Sequence, residues 1–207
     1  MKYRLLDLFC CQGGAAKGYA AGGLFDVVGV DIEPQPRYPF KFIQGDALEY
    51  VAAHGHEFDF IHASPPCQKF TKARKLQGNE HHDFIPGTRR MLTLSGKPFV
   101  IENVPGAPLL DPVMLCGTMF NLKTYRHRLF ESSFTIGTPA HTEHKEPSVK
   151  MGRPVPAGRF MHIVGHFSDV PGAQKIMGMP WANQYGLAQA IPPVYTEWIA
   201  KQWSLNK

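Results

Sequence analysis

The sequence predicts an α/β fold built on a doubly wound, largely parallel sheet. Three observations point there. Short, nearly continuous apolar runs alternate with helix-forming stretches through the first hundred residues, the pattern of strands buried on both faces. Several of these runs end in glycine or an acid, as in DLF before CQGG, in VVGVD and in IQGD. In open sheets of this class, the carboxyl ends of the strands are where ligands bind. The chain is also of one-domain size, 207 residues of which 43% are hydrophobic and only 19% charged, enough to fill a single core.

Element by element, Tyr3–Phe9 reads as the first strand and residues 15–21 as a short helix after a glycine turn. Val27–Asp31 and Phe40–Gln44 are β-branched or apolar runs, so they read as strands, with a helix over 47–53. Phe58–Ala63 is a fourth strand, stopped by two prolines. A helix over 89–94 and a strand over Phe99–Glu102 follow. Tyr125–Phe130 alternates as a strand does, which would aim Arg126 and Arg128 the same way. From Thr135 to Pro156 the chain is rich in Pro, Gly, Thr and His without a period, and reads as an extended loop. Order returns at Gly172–Met177, and Pro192-Pro193 opens a last helix in which Val194, Trp198 and Ile199 share a face.

Charge and composition narrow the classes. A net charge of +5 permits a polyanionic partner without requiring one. No stretch approaches the roughly 18 apolar residues of a membrane span, and the opening MKYRLLDLFCCQGG is too short and too polar in its flanks for a secretory leader. The expected location is the cytoplasm. The four cysteines, Cys10, Cys11, Cys67 and Cys116, form no C-x-x-C pair and are expected as free thiols. His141 with His144, and His162 with His166, have spacings a metal could use, but no cysteine pair accompanies them. They read as polar loop histidines, and no metal site is expected.

CQGGAAKGYAAGG, a glycine turn between strand and helix, suits either a nucleotide-like ligand or tight strand–helix packing. Asp31, ending the second strand, can grip ribose hydroxyls, and Asp46, after the third, can accept from an adenine amine. The three in order suggest an adenosine-containing cofactor. Cys67, in SPPCQ at the end of the fourth strand, is either a buried structural thiol or a nucleophile ionised by the nearby Lys69, Lys72, Arg74 and Lys75. Glu102, closing the fifth strand, would stand beside it. Arg126 and Arg128 are either a solvated pair or, facing a crevice, a hold for a carbonyl or phosphate.

The order DLF…GG, VD, GD, PPCQ, ENV and R-x-R resembles the cytosine-5 DNA methyltransferase family. The likeness runs from Asp7 to Phe130 and resumes over about 173–200, where GLAQAIPPVYTEWIA is similar to the family's last motif. FNL followed by RHRLFE looks like the short bacteriophage members. The resemblance implies a Rossmann-like methyltransferase fold, with S-adenosyl-L-methionine as cofactor and double-stranded DNA as partner. Asp7, Phe9, Gly13, Gly14, Asp31, Ile32, Asp46, Ala47, Pro65 and Gln189 would form the cofactor pocket. Cys67 would attack carbon 6 of a cytosine turned out of the duplex. Glu102 would hold and protonate ring nitrogen 3, and Arg128, supported by Arg126, would bind the base's carbonyl. Ser64, Pro66, Gln68 and Asn103 would line the base's site, while Lys69, Lys72 and Arg74 on the following loop would meet phosphates.

Four positions depart from the family pattern. Cys11 and Ser64 stand where glycine is usual, Thr124 where a glutamine often precedes R-x-R, and Gln189 where asparagine is usual. The larger departure is size. Residues 1–130 would form the catalytic and cofactor core and 171–207 would complete it, leaving only 131–170 as a minimal target-recognition segment. Arg159, His162 and His166 are candidate DNA contacts there, or loop packing. A segment so small implies a short target. Nothing in the sequence marks an interface, so a monomer is expected. The RNA counterpart of the reaction and a binding module without catalysis stay open at this stage.

Overall fold

The computed structural model describes residues 2–67, 70, 82–149 and 153–205. In chain order it comprises β1 (Tyr3–Leu8), α1 (Gly14–Ala21), β2 (Phe25–Asp31), β3 (Lys41–Gln44), α2 (Ala47–His54), β4 (Phe60–Ala63), α3 (Ile85–Ser95) and β5 (Phe99–Asn103). Then come β6 (Val113–Leu115), β7 (Arg128–Ser132), β8 (Ser148–Val149), β9 (Phe160–Met161), α4 (Val170–Met177), α5 (Gln184–Gln189) and α6 (Pro193–Leu205). Seven strands form one sheet in the order β3-β2-β1-β4-β5-β7-β6, and β8 and β9 form a separate parallel pair. β3, β2, β1, β4 and β5 run parallel, and β7 is antiparallel to both β5 and β6.

Each strand buries alternate residues on opposite faces of the sheet. On one face Leu5, Val27, Phe60 and Val100 meet Ala15, Ala16 and Tyr19 of α1 and Tyr195, Ile199 and Trp203 of α6. On the other, Leu6, Leu8, Val28, Val30, Ile61 and Ile101 meet Ala47 and Val51 of α2 and Leu92 of α3. Helices on both faces make the expected doubly wound arrangement. The strand order reverses direction between β1 and β4, so the carboxyl ends of those two strands open the crevice in which such sheets bind ligands. The turn after β1 carries the glycines, and the turn after β4 carries Cys67.

A third cluster of buried apolar side chains, including Met161, Ile163, Phe167, Ala173, Met177 and Leu187, lies apart from the sheet's two layers. It gives residues 161–190 a small core of their own. Among the described residues, no helix is long and apolar enough to cross a membrane.

Two readings of local structure need correction. β7 starts at Arg128, not Tyr125, and Arg126 precedes it with φ of 35°. The alternation that aimed both arginines alike therefore does not apply. The buried face of α6 is Tyr195, Thr196, Ile199, Ala200 and Trp203, whereas Val194 and Trp198 lie at its margin. An aromatic nest decides this: Trp203 packs edge-on to Tyr3 and Phe60, with ring centroids 5.0 and 5.4 Å away.

α1 and α6 approach closely because of one glycine. A Cβ at Gly18 would fall 1.9 Å from the Pro193 carbonyl oxygen and 2.1 Å from Thr196 Oγ1. The Thr196 hydroxyl is itself 2.8 Å from the Ala15 carbonyl. Gly18→Ala should therefore force the two helices apart and destabilise the fold by about 3 kcal/mol. That corresponds to a loss of roughly 6 °C or more in thermal midpoint. A melt followed by circular dichroism measures it, and an unchanged midpoint would refute the close approach.

Candidate active site

The turn after β1 is built from left-handed backbone. Phe9, Cys11 and Gly13 have φ of 58°, 44° and 78°. Cys11 thus adopts the conformation that glycine adopts without strain, which explains why glycine is usual there. Its backbone N–H donates to Asp31 Oδ2 at 2.8 Å, and Glu33 N–H donates to Asp31 Oδ1 at 3.0 Å. The carboxylate at the end of β2 is thereby aimed, with one lone pair on each oxygen left over. Asp46 caps α2 through Oδ1 alone, accepting from Leu48 and Glu49 N–H at 2.8 and 2.9 Å. Its other oxygen is not committed to the cap. Between these acids Ile32 stands 65% exposed, a large apolar side chain open to solvent. Two directed carboxylates flanking an open apolar surface are the chemistry that a ribose and an adenine ring require, so the residues present fit an adenosine-containing cofactor.

The two glycines of the turn do other work. Gly13 backs onto Tyr38 and Pro39, and a Cβ at Gly14 would fall 2.5 Å from the Ile191 carbonyl. Close packing of the final chain segment on this turn is thus one reason for glycine here. Gln12 and Asn183 lock the two together: Gln12 Nε2 donates to Asn183 Oδ1, and Asn183 N–H donates to Gln12 Oε1, each at 3.0 Å. Sequence reasoning missed this pair, since Gln12 and Asn183 stand 171 positions apart. Asp7 is buried beneath the turn, where it accepts from the Tyr38 hydroxyl. Burial holds its carboxyl well above the usual range. Ala47 is buried as the first residue of α2, and Gln189 is exposed at the end of α5.

On the other side of the crevice, Pro65, Pro66 and Cys67 follow β4. Asn103 Nδ2 donates to the Pro65 carbonyl at 3.0 Å, while Asn103 Oδ1 accepts from Val104 N–H. Expected on the substrate, Asn103 instead ties the end of β5 to the proline turn and so sets where Cys67 stands. Glu102, 6% exposed, pairs with Arg128, whose Nε lies 2.9 Å from Oε1. Burial raises the Glu102 carboxyl, and Arg128, Arg126 and a hydrogen bond from Ser64 only partly offset it. The Cys67 thiol is raised too, first by burial and then by the Glu102 charge, against Arg128 and Arg126. The two raised groups are coupled: a proton on Glu102 removes the charge that opposes the Cys67 thiolate.

Ser64 leads to a buried relay. The Tyr19 hydroxyl lies 3.0 Å from His62 Nδ1, and His62 Nε2 lies 2.9 Å from Ser64 Oγ. Burial pushes His62 down to about 3, so the ring is neutral and carries one N–H. Tyr19 then donates to Nδ1, Nε2–H donates to Ser64, and the Ser64 hydroxyl is left to donate to Glu102. His62 reads in sequence as part of a buried strand. Only the packing of β4 against α1, which brings Tyr19 to it, gives it a role.

Arg126 and Arg128 differ in function. Arg126 is buried and donates through Nε to the Ala190 carbonyl, and through its two terminal nitrogens to Ala188 and Ile163. It holds chain segments, whereas Arg128 holds Glu102. Both border a cavity of about 510 Å³ whose lining also includes Phe70, Val104, Tyr125, His144 and Ile163, a volume within the range of small-ligand sites. Gln68, Lys69, Lys72, Arg74 and Lys75 lie outside the described residues. The reading of His141 and His144 as plain loop residues does not hold. The fold brings both to Cys116 and His127, so that all four ligand atoms lie within 4.8 Å of one another. His162 and His166 are exposed.

Residues 3–111 match the model of the C-5 cytosine-specific DNA methylase family. The chain belongs to this family. S-adenosylmethionine comes with that membership as the cofactor, in keeping with the acids and open apolar surface at the ends of β2 and β3. A Type II methyltransferase, M.AquIA of Picosynechococcus sp., is 30% identical over 129 residues, covering 51% of this chain and 50% of that protein. The chain thus spans about half the length of the curated relative it matches. Two crystal structures share the whole fold. A DNA modification methyltransferase encoded within an E. coli prophage matches with a TM-score of 0.70 at 15% identity, covering all of both chains. The S. pombe Dnmt2 methyltransferase matches with a TM-score of 0.62 at 14% identity, covering 99% of this chain and 98% of that one.

If Arg126 joins segments rather than contacting substrate, its loss is a stability defect first. Arg126→Ala should cost about 3 kcal/mol or more, since it strands three carbonyls and leaves a cavity in the interior. Arg126→Lys should recover only part of this, because an ammonium cannot reproduce the planar fork. Urea unfolding of both variants checks the order, and a lysine variant as stable as the parent would contradict it.

Proposed function

We propose that the protein is a DNA cytosine-5 methyltransferase acting on a cytosine turned out of a DNA duplex through a covalent Cys67 adduct. The observation that carries the reading is Cys67 on the stiff turn after β4, at the reversal of strand order, beside the buried Glu102–Arg128 pair. S-adenosylmethionine, held at the ends of β1 to β3, would supply an electrophilic methyl group. Asp31 would hold its ribose, Ile32 would cover the adenine, and the free oxygen of Asp46 would accept from the adenine amine. Phe9, at the mouth of the same turn, flanks the pocket.

Cytosine carbon 5 is a poor nucleophile until carbon 6 is attacked. The Cys67 thiolate forms a bond to carbon 6. The electron pair of the 5,6 double bond moves to the 4,5 position, and the 3,4 pair moves to nitrogen 3, which takes a proton from Glu102. Carbon 5 now has an enamine's electron pair and would take the methyl group, the methyl–sulfur bonding pair staying on the donor's sulfur as a neutral thioether, and nitrogen 3 returns its proton to Glu102. Loss of the carbon 5 proton to water re-forms the 5,6 double bond and expels Cys67. The raised Glu102 suits this role, because burial makes its carboxyl easier to protonate than a solvated one and so better able to deliver a proton to nitrogen 3. Arg128 holds Glu102 in place and offers its remaining donors to the base's carbonyl oxygen. Ser64 orients Glu102 from behind. Carbon 6 cannot be reached inside a stacked duplex, so the base must leave it, and a 510 Å³ cavity bordered by Arg128 and Val104 opens next to the Glu102–Arg128 pair.

Residues 131–170 act as a reduced target-recognition segment in this reading, with a short recognition sequence. The test uses radiolabelled S-adenosylmethionine with duplex DNA, the same sequence as RNA, and a DNA carrying 5-fluorocytosine, which blocks the final elimination. Label should enter DNA, vanish with Cys67→Ser, and be accompanied by a covalent protein–DNA adduct on the fluorinated strand. Label on RNA alone would transfer the reading to RNA, and label on neither would refute methyl transfer to cytosine.

A second test reads the coupling of the two groups. Glu102 opposes the Cys67 thiolate, so Glu102→Gln removes a repulsion and leaves Arg128 and Arg126 acting unopposed by it. The Cys67 thiol should then ionise at lower pH than in the parent, while methyl transfer falls by about 10²–10⁴-fold. Peptide-resolved alkylation with iodoacetamide across pH gives the first quantity. A Cys67 profile that shifts upward or stays in place would contradict the coupling.

A further inference from the structure

We propose that Cys116, His127, His141 and His144 form a zinc site that clamps the irregular chain after β7 to the edge of the sheet. Cys116 follows β6, and His127 immediately precedes β7. His141 and His144 come from the chain between β7 and β8. Each offers one ligand atom, and the four atoms lie within 4.8 Å of one another. Cys116 Sγ is 3.2 Å from His144 Nε2, and His144 Nε2 is 3.0 Å from His141 Nε2. With Zn–S near 2.3 Å and Zn–N near 2.0–2.1 Å, tetrahedral ligands stand about 3.4 Å apart. These two pairs need to open by only a few tenths of an ångström, and no pair has to close by more than about 1.4 Å.

Hydrogen bonding alone accounts poorly for this arrangement. His144 Nε2 carries either one hydrogen or one lone pair, yet it faces both a thiol and a second imidazole nitrogen. Convergence of three such atoms on one point is what a shared cation resolves. The surroundings fit a thiolate. Met119 N–H donates to Cys116 Sγ, and Thr118 Oγ1 is 3.2 Å from it. Donors of this kind stabilise a metal-bound sulfur and fix its direction. The imidazoles are held as well. The His144 ring stacks between Tyr125, 3.8 Å away, and His127, 4.9 Å away, and Tyr125 stacks in turn on Phe160 at 4.4 Å.

The donor set selects the metal. One thiolate and three imidazoles suit zinc and disfavour magnesium or calcium, which take oxygen ligands. Four protein ligands leave no open position, so the site is structural. Its position gives it a task. His127 lies between Arg126 and Arg128, and His127 and His144 both line the 510 Å³ cavity. The ion joins three stretches of chain there and fixes one wall of that cavity. The inference does not depend on the reaction proposed above.

The decisive measurement is metal content. Untagged protein, dialysed against metal-free buffer, should retain about one equivalent of zinc per chain by plasma mass spectrometry. His141→Ala, an exposed position whose loss leaves the core intact, should lose most of it, and Cys116→Ser should lose nearly all. His166→Ala, outside the cluster, should keep it. Cobalt(II)-substituted protein should show the intense visible bands of a tetrahedral site and a near-ultraviolet thiolate-to-metal band that is absent in Cys116→Ser. Chelation should lower the thermal midpoint, and zinc but not magnesium should restore it. Dialysed protein with under about 0.1 equivalent of zinc, no tetrahedral cobalt spectrum and a midpoint indifferent to chelator would overturn the proposal.

Discussion

The buried guanidinium of Arg126 is the interaction on which the rest of the architecture depends. Its donors end on the carbonyls of Ala190, Ala188 and Ile163. These belong to the last chain segment and to the small third core, neither of which pairs with the main sheet. Its own carbonyl accepts from the Tyr195 hydroxyl at 3.0 Å, joining α6 to the same point. One side chain thus ties the strand edge, the returning tail and the 161–190 core. Burial and the neighbouring Arg128 charge depress its pKa. The compensation comes from three carbonyl dipoles and from Glu102 beyond Arg128. A lysine, with its compact ammonium, could not span three acceptors this far apart in sequence.

That anchoring also sets the electrostatics of the site. Arg126 fixes residues 124–128, and therefore the root of β7 from which Arg128 reaches Glu102. Glu102 is held on three sides: by Arg128, by Ser64, and by its place on β5 next to Asn103, which grips the proline turn. Behind Ser64 the relay continues through His62 to Tyr19, deep on α1. The acid and the thiol are thus placed by buried hydrogen bonds rather than by surface charge. Burial raises both, and the Glu102 charge raises the Cys67 thiol further.

Much of this was legible in the sequence, for a physical reason. β1, β2, β4 and β5 are buried on both faces, so their apolar runs are continuous, and the ends of the runs and of the edge strand β3 place the glycine turn, Asp31, Asp46, Cys67 and Glu102 along one edge of the sheet. Where a residue's role depends on distant partners, local pattern fails. Arg126 and Arg128 look equivalent as R-x-R, but a left-handed φ at Arg126 turns one toward carbonyls some 40 to 60 positions downstream. His62 looks like a strand residue until β4 is set against α1. His141 and His144 look like loop residues because Cys116 and His127, which complete their cluster, sit far upstream. Asn103 was read as facing a substrate, yet its amide is used by the Pro65 carbonyl. In each case the missing information is a contact made by tertiary packing, which periodicity cannot carry.

Cys11 shows how such a departure can be accommodated. A left-handed backbone at a non-glycine residue costs about 1–2 kcal/mol. Here the same peptide donates to Asp31 Oδ2 at 2.8 Å, a charge-assisted bond worth about 1.5–3 kcal/mol. The turn is also pinned on both sides. Cys10 N–H donates to the Val30 carbonyl at 3.2 Å, and Gly13 N–H returns to the Cys10 carbonyl at 2.9 Å. The strain is therefore offset where it arises, and its product is direction: a carboxylate at the end of β2 held with its free lone pairs outward. Side-chain identity at position 11 matters less than this backbone geometry, which is why a cysteine can occupy a glycine's place without unmaking the pocket.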